Sequence, residues 1–190
     1  MSLYGTEGGK AILVGLGKEE KSNNQSYREA GATVVAQHKS SHDSELTVVL
    51  HTSDLPAITA FAEGMMMRDY KYDVYKKSDD DDEKVPLTAR INCNEGDASE
   101  LSLAVDRAAA VVTGVHLSRD LGNCPPNDMY PMAFAEMAEK WADEYDNVKV
   151  EVSDYETATR DGMGGLVAGG MGTSRTPGKV NFTLNGDQKV

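Results

Sequence analysis

Residues 120–127 read Asp-Leu-Gly-Asn-Cys-Pro-Pro-Asn and lie between two stretches of helical periodicity. Gly122 is a typical helix-ending residue, and the Pro125-Pro126 pair cannot continue a helix because proline fixes φ and has no N–H to donate. This octet therefore predicts a domain boundary near 121–128.

A long helix is predicted before the octet, over 98–121. Asp97, followed by Glu100 three residues later, resembles a capping box. At 1.5 Å per residue this helix spans roughly 30 Å, enough to brace two domains. Pro131 suits the first turn of the next helix, predicted over 132–145. The apolar positions of the long helix recur at helical spacing: Leu101, Ala104, Val105, Ala108, Val111, Val112 and Val115.

The other periodic segments alternate between strand and helix patterns, and this alternation indicates an α/β sheet. The predicted strands cover 11–15, 45–51, 87–93, 148–152 and 179–184, and the predicted helices cover 24–37, 55–68 and 155–160.

The octet resembles the domain junction of the leucyl aminopeptidases, the cytosol aminopeptidase family or peptidase family M17. The helix before it and the segment 129–177 after it resemble the corresponding parts of those enzymes. Residues 12–18 are similar to the strand and turn of the family's N-terminal domain. Residues 64–77 resemble a family segment that precedes a charged loop.

The resemblance implies an α/β fold with three parts. A macrodomain-like N-terminal α/β domain covers 1–97, a long connecting helix covers 98–121, and the incomplete start of an α/β metallopeptidase domain covers 122–190. The family has further strands before residue 11, so we expect the first domain to lack its first strands. A sheet without them has an unpaired edge.

The resemblance also implies a function. Members of the family release N-terminal residues, often leucine, from peptides with two divalent metal ions, zinc or manganese, which activate water and polarise the scissile carbonyl. They are cytoplasmic homohexamers. Their metal ligands lie in a Gly-Lys-Gly-x-Thr-Phe-Asp-Ser-Gly-Gly stretch and an Asn-Thr-Asp-Ala-Glu-Gly-Arg stretch, and neither occurs here.

Residues 188–190, Gln-Lys-Val, resemble the approach to the first of those stretches. We therefore expect the metal-binding motifs to lie beyond residue 190. No residue of this chain is assigned as catalytic, cofactor-binding or metal-binding, and no metal ion is expected to bind it. The 190 residues alone are predicted to be inactive.

An alternative is a non-catalytic macrodomain-like module that binds a nucleotide or assembles with a partner protein. Its main candidate is the Gly15-Leu16-Gly17 turn, which could hold a phosphate through backbone N–H groups. The third glycine of a dinucleotide fingerprint is missing, because Glu20 stands in its place. A second glycine-rich run, 163–172, has Ser174 and Arg175 nearby as possible anion contacts, but the family resemblance makes it a structural loop.

The histidines form no recognisable metal motif. His38 and His42 have i, i+4 spacing but flank a Ser-Ser break, and His51 and His116 stand alone. Serine hydrolase chemistry is not supported either, because the chain has no Gly-x-Ser-x-Gly elbow. Three consecutive methionines, 65–67, are most simply packing residues.

Two cysteines, Cys93 and Cys124, lie far apart without CxxC spacing, so neither a disulfide framework nor a zinc knuckle is indicated. We expect a reducing, cytoplasmic location, because neither a secretory leader nor a bilayer-spanning run is visible.

The net charge of −12 is unfavourable for nucleic-acid binding, which requires clustered Lys and Arg. The acidic run 79–83 lacks the spacing and the glycine of an EF-hand calcium loop, so a solvated loop is expected. At roughly 150 residues per domain, 190 residues fit one domain and part of another.

Overall fold

The structure, a computed structural model, describes residues 2–4, 10–39, 44–76, 87–93, 96–172 and 177–184. The chain divides into two compact units, Met1–Gly122 and Asn123–Val190. The acidic run 79–83, His42, Ser174, Arg175 and residues 188–190 lie outside the described residues.

The elements of the first unit are β1 (Ser2–Tyr4), β2 (Lys10–Ile12), a 3₁₀ turn (Glu19–Lys21), α1 (Asn24–His38), β3 (Glu45–Leu50), α2 (Leu55–Asp69), β4 (Thr88–Cys93) and α3 (Ala98–Asn123), whose last residue belongs to the second unit.

Two sheets form in the first unit. Strands β3 and β4 are parallel, with Glu45 opposite Thr88 and Leu50 opposite Cys93, and α2 makes the crossover between them. Strands β1 and β2 are antiparallel, with Ser2 opposite Ile12. Within the described residues, each sheet has two strands.

The core of the first unit lies between β3 and the helices α1 and α2. Val48 and Leu50 are the buried members of the alternating pattern of β3, as a strand with one covered face requires. Ile58 of α2 and Val35 of α1 are its most completely buried large side chains. The whole buried cluster consists of Ala30, Val34, Val35, Val48, Leu50, Ile58, Phe61 and Met65.

Helices α1 and α2 cross at two glycines. A Cβ atom on Gly31 would overlap the carbonyl oxygen of Phe61, and one on Gly64 would overlap the carbonyl oxygen of Arg28. Backbone therefore packs directly on backbone at this crossing. Arg28 also crosses the interface, where its Nε and Nη2 donate to Glu63 Oε2 at 3.0 and 2.6 Å. Glu63 is buried, so this pair neutralises its charge where water is largely excluded.

Helix α3 begins where the sequence predicts. The Asp97 carboxylate accepts from the Ser99 backbone N–H at 2.7 Å and from its hydroxyl, and these bonds hold the pKa of Asp97 below its usual value. Ala104, Ala108 and Val112 are buried at i, i+4 spacing, whereas Val111 is 48% exposed although it belongs to the predicted apolar face.

The second unit contains α4 (Pro131–Ala142), β5 (Val148–Ser153), α5 (Tyr155–Arg160), α6 (Gly164–Gly170) and β6 (Lys179–Leu184). Strands β5 and β6 are antiparallel, with Val148 opposite Leu184. The Trp141 ring lies 4.9 Å from the Tyr145 ring and 6.0 Å from the Phe182 ring, so aromatic contacts join α4 to the sheet. Asp154 caps α5 by accepting from Thr157 N–H, which lowers its pKa.

The fold class is α/β, as predicted, and most element limits agree with the sequence patterns to within one or two residues. Four details differ. Strand β1 was not predicted, the strand expected over 11–15 ends at Ile12, and α4 ends at Ala142 rather than 145. The run 163–172, predicted to be a loop, contains helix α6, although four of its seven residues are glycine, which disfavours a helix; its surroundings therefore select the helix rather than local propensity.

The glycine crossing predicts a large effect of one methyl group. Gly64→Ala should lower the free energy of unfolding by at least about 2 kcal/mol, because the new methyl group would meet the Arg28 carbonyl oxygen, a backbone atom that cannot rotate away. Gly114→Ala is the matched control, since Gly114 lies in α3 with open space around it. Its alanine variant should be up to about 1 kcal/mol more stable than the parent. Chemical denaturation would measure both, and equal stabilities of the two variants would contradict this packing.

Candidate functional site

A polar cluster joins the end of α2 to the end of α3. The Tyr70 hydroxyl donates to Asp120 Oδ1 at 2.7 Å. The same ring lies 5.0 Å from the His116 ring, and the Arg119 guanidinium lies over its face at 5.3 Å from the centroid. We call Tyr70, His116, Arg119 and Asp120 the Tyr70 cluster.

This cluster forms where α2 leaves carbonyl groups without helical partners. The last carbonyls of any helix lack an N–H four residues on, and they carry the negative end of the helix dipole. Arg119 Nη1 donates to the Met67 carbonyl at 2.9 Å, and Lys39 Nζ donates to the Arg68 carbonyl at 3.1 Å. Lys39 also pairs with Asp69 at 3.2 Å. Arg119 of α3 and Lys39 at the end of α1 therefore supply the hydrogen-bond donors that these two carbonyls lack within α2.

His116 contributes ring packing to the cluster. Its Nε2 atom is buried and has no hydrogen-bond partner among the described residues. A tilted ring contact, a guanidinium over a ring face and a hydrogen-bonded tyrosine can hold two helices together. We therefore describe the cluster as an anchor between the ends of α2 and α3.

Two other histidines lie apart from the Tyr70 cluster. His38 and His51 both line one cleft of the first unit, and Tyr70, the ring partner of His116, is not part of that lining. Among the described residues, no group of three or more His, Cys, Asp or Glu side chains could hold a metal ion. Both cysteines are free thiols, and burial raises the pKa of Cys93. Of the three methionines, Met65 belongs to the core and the other two are half-buried, in agreement with the packing interpretation.

The cleft has a volume of about 570 Å³ and mostly apolar walls. One wall is the segment 11–16, another is α1, and the third is β3. Its polar lining includes His38, His51, Glu45 and Thr47.

The sequence pattern indicated that the Gly15-Leu16-Gly17 turn leads directly into a helix. In the structure it does not. Gly17 has φ of +87°, and the 3₁₀ turn with Glu19 and Glu20 separates it from α1. The α1 N-terminus is already capped, since Asn23 accepts from the Ser26 N–H at 3.1 Å. Two carboxylates and a capped terminus make this turn a poor phosphate site.

The second glycine-rich run serves packing at one point. Gly170 is buried, and a Cβ atom there would overlap the ring of Pro177. The close approach of Pro177 explains why this position carries glycine.

Among the helices of the described residues, none combines the length and the hydrophobicity that a membrane span requires.

Comparison with known proteins identifies the chain by two consecutive domains. Residues 2–79 match the N-terminal domain of the cytosol aminopeptidase family, and residues 116–190 match the catalytic domain of the same family. The chain therefore belongs to the cytosol aminopeptidase family, peptidase family M17.

Individual relatives agree with this assignment. A probable cytosol aminopeptidase of Rhizobium etli is 33% identical over 88% of this chain and 34% of its own length. The cytosol aminopeptidase of Pseudomonas aeruginosa is 27% identical over 99% of the chain and 39% of its own length. The chain thus spans little more than a third of these relatives.

Solved structures show the same relationship. A variant of tomato leucine aminopeptidase superposes with a TM-score of 0.86 at 26% identity, over 100% of this chain and 38% of that one. The bottromycin maturation enzyme BotP, in complex with Mn, superposes with a TM-score of 0.77 at 25% identity, over 96% of this chain and 38% of that one.

The segments 64–77 and 98–127, which contain the Tyr70 cluster, both resemble the family in sequence, but no local pattern indicates that they meet. Tyr70 lies in the stretch matched to the N-terminal domain, whereas His116, Arg119 and Asp120 are among the first residues matched to the catalytic domain. The cluster therefore ties the two matched stretches together within the first unit. The signal available was the resemblance of both segments to one family, but their separation of 50 residues hid the contact.

The Tyr70 cluster predicts a graded series of variants. Tyr70→Phe removes the hydrogen bond to Asp120 and should lower the free energy of unfolding by about 1 kcal/mol. Tyr70→Ala also removes the ring contacts with His116 and Arg119 and should lower it by about 1 kcal/mol more. Thermal or denaturant unfolding would measure both.

Tyr27→Phe is the matched control, because the Tyr27 hydroxyl forms no hydrogen bond with a described residue. It should change stability by less than about 0.5 kcal/mol. If Tyr70→Phe were as stable as Tyr27→Phe, the hydrogen bond to Asp120 would contribute nothing.

The geometry of the glycine turn predicts that ADP-ribose does not bind. Calorimetric titration of the chain with ADP-ribose should give only the heat of dilution, since Glu19 and Glu20 repel a diphosphate. A macrodomain with measurable ADP-ribose affinity, titrated under the same conditions, is the control. A saturable heat at one site per chain would instead favour the binding-module alternative.

Proposed function

We propose that this protein acts as a metal-dependent aminopeptidase that releases N-terminal amino acids, leucine among them, from peptides. The observation that carries the proposal is the order of two matches on one chain, the N-terminal domain followed by the catalytic domain of a peptidase family. An unrelated binding module would not be expected to match the catalytic domain.

Divalent metal chemistry is part of the proposal. The structure of BotP carries Mn, and the family's two ions, zinc or manganese, would activate water and polarise the scissile carbonyl when bound. The residues present here do not provide that site, because both metal-binding stretches of the family are missing from the sequence. We therefore propose that these residues provide the framework of the enzyme and that the 190-residue chain alone is inactive.

The cellular setting follows the same reasoning. Relatives named cytosol aminopeptidases support a cytoplasmic location. Assembly as a homohexamer and the use of peptides as substrates rest on the family resemblance. Neither nucleic acid nor a membrane is proposed as a partner.

A macrodomain-like binding module is the second candidate. The observation in its favour is the cleft of about 570 Å³, a volume within the range of small-molecule sites. It ranks second because the glycine turn beside this cleft lacks the features of a phosphate site.

The activity assay compares two samples. Protein expressed from the natural transcript should hydrolyse leucine p-nitroanilide, lose that activity to a chelator and regain it with manganese or zinc. The 190-residue chain should show no turnover above a metal-free blank, because it lacks the ligands that hold the ions.

N-acetyl-leucine p-nitroanilide controls for specificity, since an aminopeptidase requires a free amino terminus. Turnover by the 190-residue chain would refute its predicted inactivity. An inactive natural protein, or one that accepts the acetylated substrate equally well, would refute the aminopeptidase proposal.

A further inference from the structure

We propose that a groove between α1, α2 and α3 binds a free apolar α-amino acid as its zwitterion. Arg107 holds the carboxylate, and Glu100 holds the ammonium group. Leu55 and Leu103 contact the ligand side chain. Binding at this groove is independent of the proposed peptidase activity. Only the further step, that an amino acid released by the enzyme occupies the groove, rests on the proposed function.

The groove has the size of a small-molecule site. Its volume is about 470 Å³, which lies within the range of such sites. Residues from the first ten positions of α1, α2 and α3 line it. It shares no lining residue with the cleft beside β3. The groove is therefore a separate concave surface of the first unit.

The charges of the groove are complementary to a zwitterion. Arg28 and Glu63 neutralise each other through the two hydrogen bonds that end on Glu63 Oε2, and Arg28 Nη1 also donates to Gln25 Oε1 at 2.8 Å. The other two charged side chains of the lining, Glu100 and Arg107, form no ion pair with a described residue. One carboxylate and one guanidinium are thus left to form charge-assisted hydrogen bonds with a ligand.

Helix α3 sets the spacing of these two groups. Glu100 and Arg107 are seven residues apart on one face, with Leu103 and Ala104 between them. Seven residues rise about 10 Å along a helix, so the pair exceeds the i, i+4 spacing at which side chains meet directly. An α-amino acid carries its ammonium and carboxylate groups on one carbon atom. With a hydrogen bond of about 2.9 Å at each end, it bridges about 8 Å. Two long side chains can therefore hold it from its two ends.

Apolar surface in the groove selects the ligand side chain. Leu103 is 66% exposed, although its neighbour Ala104 is buried. Leu55 and Pro56, in the first turn of α2, line the same groove. An apolar ligand side chain would cover these residues, and removal of apolar surface from water favours binding. The groove should therefore prefer leucine to glycine.

The test is a titration of the isotope-labelled 190-residue chain with leucine, followed by the NMR shifts of its backbone amides. We expect saturable 1:1 shifts in residues 59–63 and 100–107. The dissociation constant should be about 1 mM, because ion pairs open to water contribute little each. Leucinamide lacks the carboxylate, N-acetyl-leucine lacks the ammonium group and glycine lacks the side chain. Each should bind at least about fivefold more weakly than leucine.

Substitutions on α3 assign the two charges. Arg107→Met and Glu100→Gln change exposed residues and should each weaken leucine binding at least about fivefold, while the amide spectrum shows that the chain stays folded. Asp106→Asn is the matched control. It removes a charge from an exposed neighbour on the same helix that does not line the groove, so the affinity should stay unchanged.

Localised, saturable shifts that require both charges of leucine and both Arg107 and Glu100 support the proposal. Three results would overturn it: no saturable shifts, shifts centred on the cleft beside β3, or equal weakening by Asp106→Asn. A ligand without one of the two charges that binds as tightly as leucine would overturn it as well. The titration contains no peptide substrate, so its failure would leave the proposed aminopeptidase activity unaffected.

Discussion

The contact on which the N-terminal unit depends is the crossing of α1 and α2, where backbone meets backbone at Gly31 and Gly64. Such close approach brings the apolar faces of both helices within reach of one strand, β3. It also places the partly exposed Arg28 beside the buried Glu63, so a carboxylate that would be costly alone is neutralised within the interface. The packing of the core, the Arg28–Glu63 ion pair and the position of the sheet all depend on how closely α1 and α2 approach each other.

The end of α2 is the second organising feature. Its terminal carbonyls accept from Lys39 and Arg119, which belong to segments that lie 29 and 52 residues away in sequence. The Tyr70 ring then occupies the space beside Arg119. A helix terminus, which is normally a weak point, thereby becomes the place where the first residues matched to the catalytic domain are fixed to the N-terminal unit.

Local features of the sequence predicted local structure well. Asp97 caps α3 and Pro131 begins α4, as their positions indicate. These outcomes depend on residues within one turn of each other. The predictions that were wrong lacked such local signals. The run 163–172 is rich in glycine, which is compatible with a turn as well as with the short helix α6, and only its surroundings select between them.

The sequence by itself determined the α/β class, nearly all element limits and the family, because periodicity, capping and motif order are properties of neighbouring residues. Tertiary structure alone decided that Gly31 packs on the Phe61 backbone and Gly64 on the Arg28 backbone, that Tyr70 reaches Asp120, and that residues 11–16 face β3 across a cleft. These contacts join residues 30 to 50 positions apart, and their energies arise only when the chain is folded, since no local pattern encodes which distant backbone or carboxylate will be near.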